Sequence, residues 1–353
     1  MAIRIDENKI LKEIETLLER RKKITSLTEY YYSSKDICNL MYIYKELTGK
    51  TLRLFIHKNP VLSDYMHKYL GMTETNAYFY FINQEEHTRL AENIVDVFSK
   101  SEYIYYGRCD VNKLTEKEFF EIERDFLGSY DDRLLKLFDN SCEKGLIDMR
   151  SKNRGTATTF MRMCNNRHYI LLPEGYNIEG LVILSHELAH LDSHAVLDVR
   201  SKRQLDETSC TYYESYSHYM EQCLFEYLKK NHIYLSDTLI DENNYYAWMK
   251  DFFDDLVICK KFRGTEKDYD ILDMISEAYQ YSYGMLIGVL LHERYLENPV
   301  ETKKDVDNFL FTQGLLNKTQ ELEILGLSKE ALNDTKVLSK RLKSHNENYR
   351  KYN

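Results

Sequence analysis

The residues with the clearest chemical meaning are Ser185-His-Glu-Leu-Ala-His190. His186 and His190 are spaced i, i+4, so on a helix both imidazoles project from one face and can grip one cation. Glu187 stands about 100 degrees further round such a helix. It lies beside the cation rather than on it, where a carboxylate can take a proton from a metal-bound water. A pattern this short arises by accident on the order of a few times per hundred chains of this length. Its surroundings strengthen it. The stretch 178–197 is apolar on nearly every face, with Leu181, Val182, Ile183, Leu184, Leu188 and Leu191, which marks a buried helix. Two histidines and a glutamate inside it need partners, since an unpaired buried charge costs several kcal/mol. The plainer alternative is a pair of satisfied core histidines with Glu187 as a surface charge. A metal answers the need of all three.

A catalytic zinc requires a third protein ligand and one open position. The extended pattern, with glycine three residues beyond the second histidine and a further histidine after it, is absent, and Ser193 and Val196 stand in those places. A carboxylate on a later helix is therefore expected. Residues 205–229 are strongly helical and offer Glu207, Glu214 and Glu221, one every seven residues along one stripe. Spacing alone does not choose among them, and a solvated helix face is the ordinary account of such a stripe.

The elements that must hold these groups are mostly helices. The chain has 353 residues, with only 3 prolines and 13 glycines to punctuate it, too few for an all-β fold. Helical periodicity runs over 10–18, 75–100, 134–142 and 271–296. Thirty tyrosines at such spacing fill a core while keeping a hydroxyl to satisfy. Two short stretches read as strands, 156–163 and 168–172, the second stopped by Pro173-Glu-Gly. They form an antiparallel ribbon directly before a helix expected to begin near Asn177. The polar stretch Gly128-Ser-Tyr-Asp-Asp suggests a boundary, with a helical N-terminal lobe over 1–130 and a catalytic domain over 131–353.

Charge and cysteines narrow the classes. Lys plus Arg number 48 against 57 Asp plus Glu, a net charge of -9, which disfavours nucleic acid as a partner. The seven scattered cysteines contain no C-x-x-C pair, so neither a disulfide framework nor a thiolate zinc site is indicated. No apolar run reaches the roughly 18 residues that span a bilayer, and the start lacks the pattern of a secretory signal. A cytoplasmic protein with no membrane partner is expected.

From about Asp131 to Leu342 the chain resembles the oligoendopeptidase F and thimet oligopeptidase family of zinc peptidases. Four blocks carry the likeness. Gly145-Leu-Ile-Asp-Met-Arg leads to Gly155-Thr-Ala-Thr-Thr-Phe and His168-Tyr-Ile-Leu-Leu, similar to the family's approach to its active-site strand. His186-Glu-Leu-Ala-His190 follows. Glu214-Ser-Tyr-Ser-His-Tyr-Met-Glu221 resembles the third-ligand segment with its Glu-x-x-Ser. Tyr279-Gln-Tyr-Ser-Tyr-Gly precedes Gly314-Leu-Leu and Leu325-Gly-Leu.

The resemblance implies a mainly α, zincin-like helical body with the β-ribbon at its active-site cleft. It implies one Zn2+ per chain on His186, His190 and Glu214, with Glu187 as general base for attack of zinc-bound water on a peptide bond. Ser217 would be a supporting position near the ligand. Tyr279 would donate to the oxyanion of the tetrahedral intermediate, against ordinary aromatic packing as the alternative. His168, Tyr169 and Ile170 would lie at the cleft edge and pair with substrate backbone. The expected partner is a short peptide. Other outcomes are a zinc hydrolase dedicated to one protein, or an inactive peptide-binding relative. Departures from the family are Ala189 in place of a glycine, Ser193 in place of a histidine, and a chain well short of the family's length on its N-terminal side.

Overall fold

The computed structural model describes residues 4–52, 114–151, 158–162, 167–173, 175–198, 213–231, 249, 251, 269–312, 318–328, 332 and 334–350. The chain divides into two compact units, residues 1–76 with 113–194 and residues 77–112 with 195–353. The division expected at 130/131 falls inside the first unit. Asp131 there closes one helix and its side chain accepts from Arg133 N at 2.6 Å to start the next. The polar stretch that suggests a boundary forms a corner between consecutive helices.

The first unit contains α1 (Glu7–Arg21), α2 (Leu27–Thr48), α3 (Glu116–Tyr130), α4 (Asp132–Glu143), β1 (Ile147–Ser151), β2 (Thr158–Arg162), β3 (Arg167–Pro173) and α5 (Ile178–Asp198), whose last turn passes into the second unit. Local chemistry sets the helix starts. Asp6 and Ser26 accept backbone N–H groups of the first turns of α1 and α2, and Thr115 with Glu118 forms a capping box on α3. Ile10, Ile14 and Leu17 fall on one stripe of α1 and bury against Ile37, Leu40, Ile43 and Leu47 of α2. Tyr169 and Leu171 of β3 close that core.

The sheet has three strands in the order β1-β3-β2. The antiparallel ribbon is present, with Phe160 of β2 opposite Tyr169 of β3, and β1 adds in parallel on the other side, Ile147 opposite Ile170. Gly145, at φ 60, makes the turn into β1; a Cβ there would stand 2.7 Å from the Arg4 carbonyl oxygen. The start of the chain is stitched to β1. Ile5 N donates to Asp148 Oδ2 at 2.9 Å, and Arg150 reaches Asp148, Glu7 and the Ile5 carbonyl.

The second unit contains α6 (Tyr213–Lys230), α7 (Tyr269–Glu297), α8 (Pro299–Thr312), α9 (Lys318–Ile324) and α10 (Thr335–Arg350). Helices α6, α8 and α10 all pack on α7, burying Leu224, Leu228, Ile287, Leu290, Phe309 and Leu338. Arg341 Nε donates to Glu293 Oε2 at 2.6 Å and ties α10 to α7. The periodic stretches at 10–18, 134–142 and 271–296 lie within α1, α4 and α7. The helix expected over 75–100 lies outside the described residues. Among the described residues no helix is long and apolar enough to cross a membrane.

Candidate metal centre and active site

Helix α5 starts where the sequence suggests. The Asn177 side chain accepts from Gly180 N at 2.7 Å, and its carbonyl accepts from Leu181 N at 3.0 Å. The helix is buried, with Leu181, Leu184 and Ala189 fully enclosed. Its polar residues are enclosed too. Ser185 donates to Glu123 Oε1 of α3 at 2.8 Å, and Asp192 accepts from Arg133 of α4 at 3.0 Å. One tie falls just before His186 and the other just after His190, so the segment between them is braced at both ends.

On that segment the Nε2 atoms of His186 and His190 lie 3.0 Å apart, with the rings at 80° to one another. Two imidazole nitrogens on one tetrahedral zinc stand roughly 3.3 Å apart, so the pair is close to the spacing of shared coordination. Glu187 and His190 are both buried. One turn further on, His194 stacks on His168 of β3 with centroids 5.8 Å apart. Burial pushes His168 down to about 4, so its imidazole is neutral near neutrality. The same burial pushes Glu123 up to about 8, against the lowering by the Ser185 hydroxyl.

The second unit carries the carboxylate side of the expected site. Glu214, His218 and Glu221 lie along α6 and are all buried. His218 Nδ1 lies 2.8 Å from Glu221 Oε2, and the Tyr281 ring of α7 meets His218 edge-on, centroids 6.1 Å apart. A carboxylate on one ring nitrogen fixes the tautomer and leaves the other nitrogen basic. Taken unit by unit, the ligand-type side chains are the imidazoles of His186 and His190 in the first and Glu214, His218 and Glu221 in the second. Imidazole and carboxylate are the donor types of catalytic zinc sites, so the chemistry of these side chains suits that ion.

Of the expected site residues, His186 and His190 come together on α5, with Glu187 beside them in sequence, and Glu214 heads α6. Tyr279 belongs to α7, but its side chain lies outside the described residues. Glu207 also lies outside them. Of the strand residues expected at the cleft edge, His168, Tyr169 and Ile170 pair with β2 along one side of β3, and β1 joins the other side from Ile170 onward, so β3 is the central strand of the sheet. Their side chains are buried, and the Tyr169 hydroxyl donates to Glu13 Oε2 of α1 at 3.1 Å. Sequence reasoning passed over Glu123, which carries no spacing signal, and His218. The latter could have been found from its i, i+4 and i, i+3 relations to Glu214 and Glu221.

No family model and no curated protein matches the chain. Solved structures do. A protein described as a peptidase from Chlamydophila abortus aligns at 14% identity and TM-score 0.50 over 97% of this chain and 64% of its own. PZ peptidase A, solved with an inhibitor, aligns at 12% identity and TM-score 0.52 over 98% of this chain and 76% of its own. A protein described as oligoendopeptidase F aligns at 11% identity and TM-score 0.50 over 98% and 75%. The fold is therefore that of helical peptidases of the oligoendopeptidase F kind. The chain spans about two thirds of the length of the first of these neighbours and three quarters of the other two.

Proposed function

We propose that this protein is a zinc-dependent peptidase of the oligopeptidase type, acting on short peptides. The observation that carries the reading is the His186 and His190 pair, Nε2 to Nε2 at 3.0 Å on a buried helix that also carries Glu187. His186, His190 and Glu214 would hold one Zn2+. Bound there, the ion would supply Lewis acidity, polarising the scissile carbonyl and lowering the pKa of water from about 16 toward 7. Glu187 takes the proton of the attacking water on its carboxylate and returns it to the leaving amine nitrogen. A tyrosine hydroxyl on α7 donates to the developing oxyanion. Tyr279 is the residue favoured by resemblance, and Tyr281, whose ring meets His218, is the neighbouring candidate.

The test is mass spectrometry of a short-peptide mixture incubated with wild type and with Glu187→Gln, each with and without chelator. Cleavage that requires both metal and Glu187 is the expected outcome. Intact peptides in every tube, with zinc bound to the wild type, would sink the oligopeptidase reading. They would point instead to a hydrolase dedicated to one protein or to a peptide-binding relative.

A further inference from the structure

Helix α6 begins at Tyr213, so Glu214 stands in its first turn. The first turn of a helix has unsatisfied N–H groups and frays unless something holds it. What faces this turn is a bare stretch of backbone on α7. A Cβ added at Gly284 would lie 2.5 Å from the Glu214 Cβ and 3.1 Å from its carbonyl carbon. One turn along, a Cβ at Gly288 would lie 2.8 Å from both the His218 Cβ and the Tyr219 nitrogen. These are contacts with backbone and Cβ atoms, which a rotamer change cannot relieve. Any side chain at either position would push α6 away by about an ångström, given the ordinary contact distance of roughly 3.5–4 Å between carbons. The glycines are on a helix with negative φ, so no turn geometry requires them. In mid-helix glycine is less favourable than alanine, and the close approach accounts for its presence.

Resting on the ligand set proposed above, we propose that Gly284 is a positioning residue for Glu214. By admitting the Glu214 Cβ against its own backbone, it fixes where the carboxylate starts, and it does so before any metal arrives. Gly288 seats the next turn of α6 in the same way. A side chain at 284 displaces the ligand itself, whereas one at 288 displaces His218 and Tyr219.

The experiment compares wild type, Gly284→Ala, Gly288→Ala and Glu214→Ala. It reads Zn2+ affinity by competition with a chromophoric chelator, the visible spectrum of the Co2+ form, and the melting midpoint of the metal-free protein. Gly284→Ala is expected to weaken Zn2+ about 10–100-fold, the effect of disturbing the support of a ligand, and to change the Co2+ bands. Gly288→Ala is expected to lower the melting midpoint comparably while weakening Zn2+ clearly less than Gly284→Ala does, because it moves His218 rather than Glu214. Wild-type affinity in Gly284→Ala, with affinity lost in Glu214→Ala, overturns the inference and leaves the ligand set standing. Equal weakening in both glycine variants also overturns it, reducing the pair to general packing. Wild-type affinity in Glu214→Ala overturns the ligand set itself, a distinguishable result. Hydrogen exchange of the metal-free wild type covers the case in which Gly284→Ala fails to fold. Amides of residues 215–219 should be protected as strongly as those of 282–290, and exchange at the rate of a frayed helix end would end the proposal.

Discussion

Ser185 donates its hydroxyl to Glu123, 2.8 Å away, and thereby ties the residue before His186 to a fully enclosed carboxyl on α3. Burial lifts that carboxyl from 4.5 to about 8, so at neutral pH it is mainly the uncharged acid that the serine meets. The two residues form a neutral polar brace beneath a segment otherwise packed by leucines.

A titration consequence follows from that brace. The folded state holds the Glu123 proton more tightly than the unfolded chain does, so this group's contribution is most favourable below pH 4.5 and is lost as pH rises toward about 8. At pH 7 the loss is roughly 3 kcal/mol. Glu123→Gln keeps the shape without the titration. Its urea midpoint should gain on the wild type progressively from pH 5 to pH 8. A constant difference across that range would mean the carboxyl is not buried as described.

Replacing Glu187 by Gln removes a proton acceptor while leaving the imidazole pair intact. Peptide turnover should fall by about 10²–10⁴, the range for loss of a general base, with zinc content unchanged by atomic absorption. A variant that cleaves at the wild-type rate would refute Glu187 as the base.

Arg133 supplies a cation to Asp192, whose side chain is wholly buried while the arginine is about one-third exposed. Arg133→Ala should destabilise by about 1–2 kcal/mol, below the figure for a fully buried pair because water reaches the guanidinium. The double change with Asp192→Asn should cost less than the sum of the two single changes. Additive costs in a double-mutant cycle would show that the pair is not coupled.

In the second unit, His292 Nδ1 lies 3.0 Å from His345 Nε2, and His292 Nε2 lies 3.4 Å from Glu226. Burial pushes both histidines below their usual 6.5, although Glu226 opposes this at His292. A lowered folded value means that the contribution is complete above pH 6.5 and is lost as pH falls. Acid should therefore loosen α10 first. Hydrogen exchange over 335–345 at pH 7 and pH 5 would measure this, and equal protection at the two values would contradict it.

Much of this architecture was legible from the sequence. The i, i+4 histidines, the apolar run around them and the Asn177 start together specify α5. The strand at 147–151 was the element that escaped notice. Ile147 and Met149 alternate with Asp148 and Arg150 over a strand of only five residues, and the polar pair is spent on each other and on Ile5 and Glu7. Its pairing with β3 is parallel, which no hairpin turn announces. Without β1, β3 reads as an edge strand, whereas it is the central one, with β1 beside it from Ile170 onward. The glycines at 284 and 288 were visible as letters. Their purpose depends on which helix comes to rest on them, and that is a fact of tertiary packing.

The stitching of Ile5 to Asp148 joins residues 143 positions apart, and it bears on the order in which a ribosome could complete this molecule. The first unit is interrupted by residues 77–112, which belong to the second. An emerging chain can pair α1 with α2 early, but the sheet that closes their core is made only after the interruption has passed. The first unit therefore closes late in synthesis. For tens of residues the nascent chain carries half-covered apolar faces, the period in which a chaperone would find the most to hold.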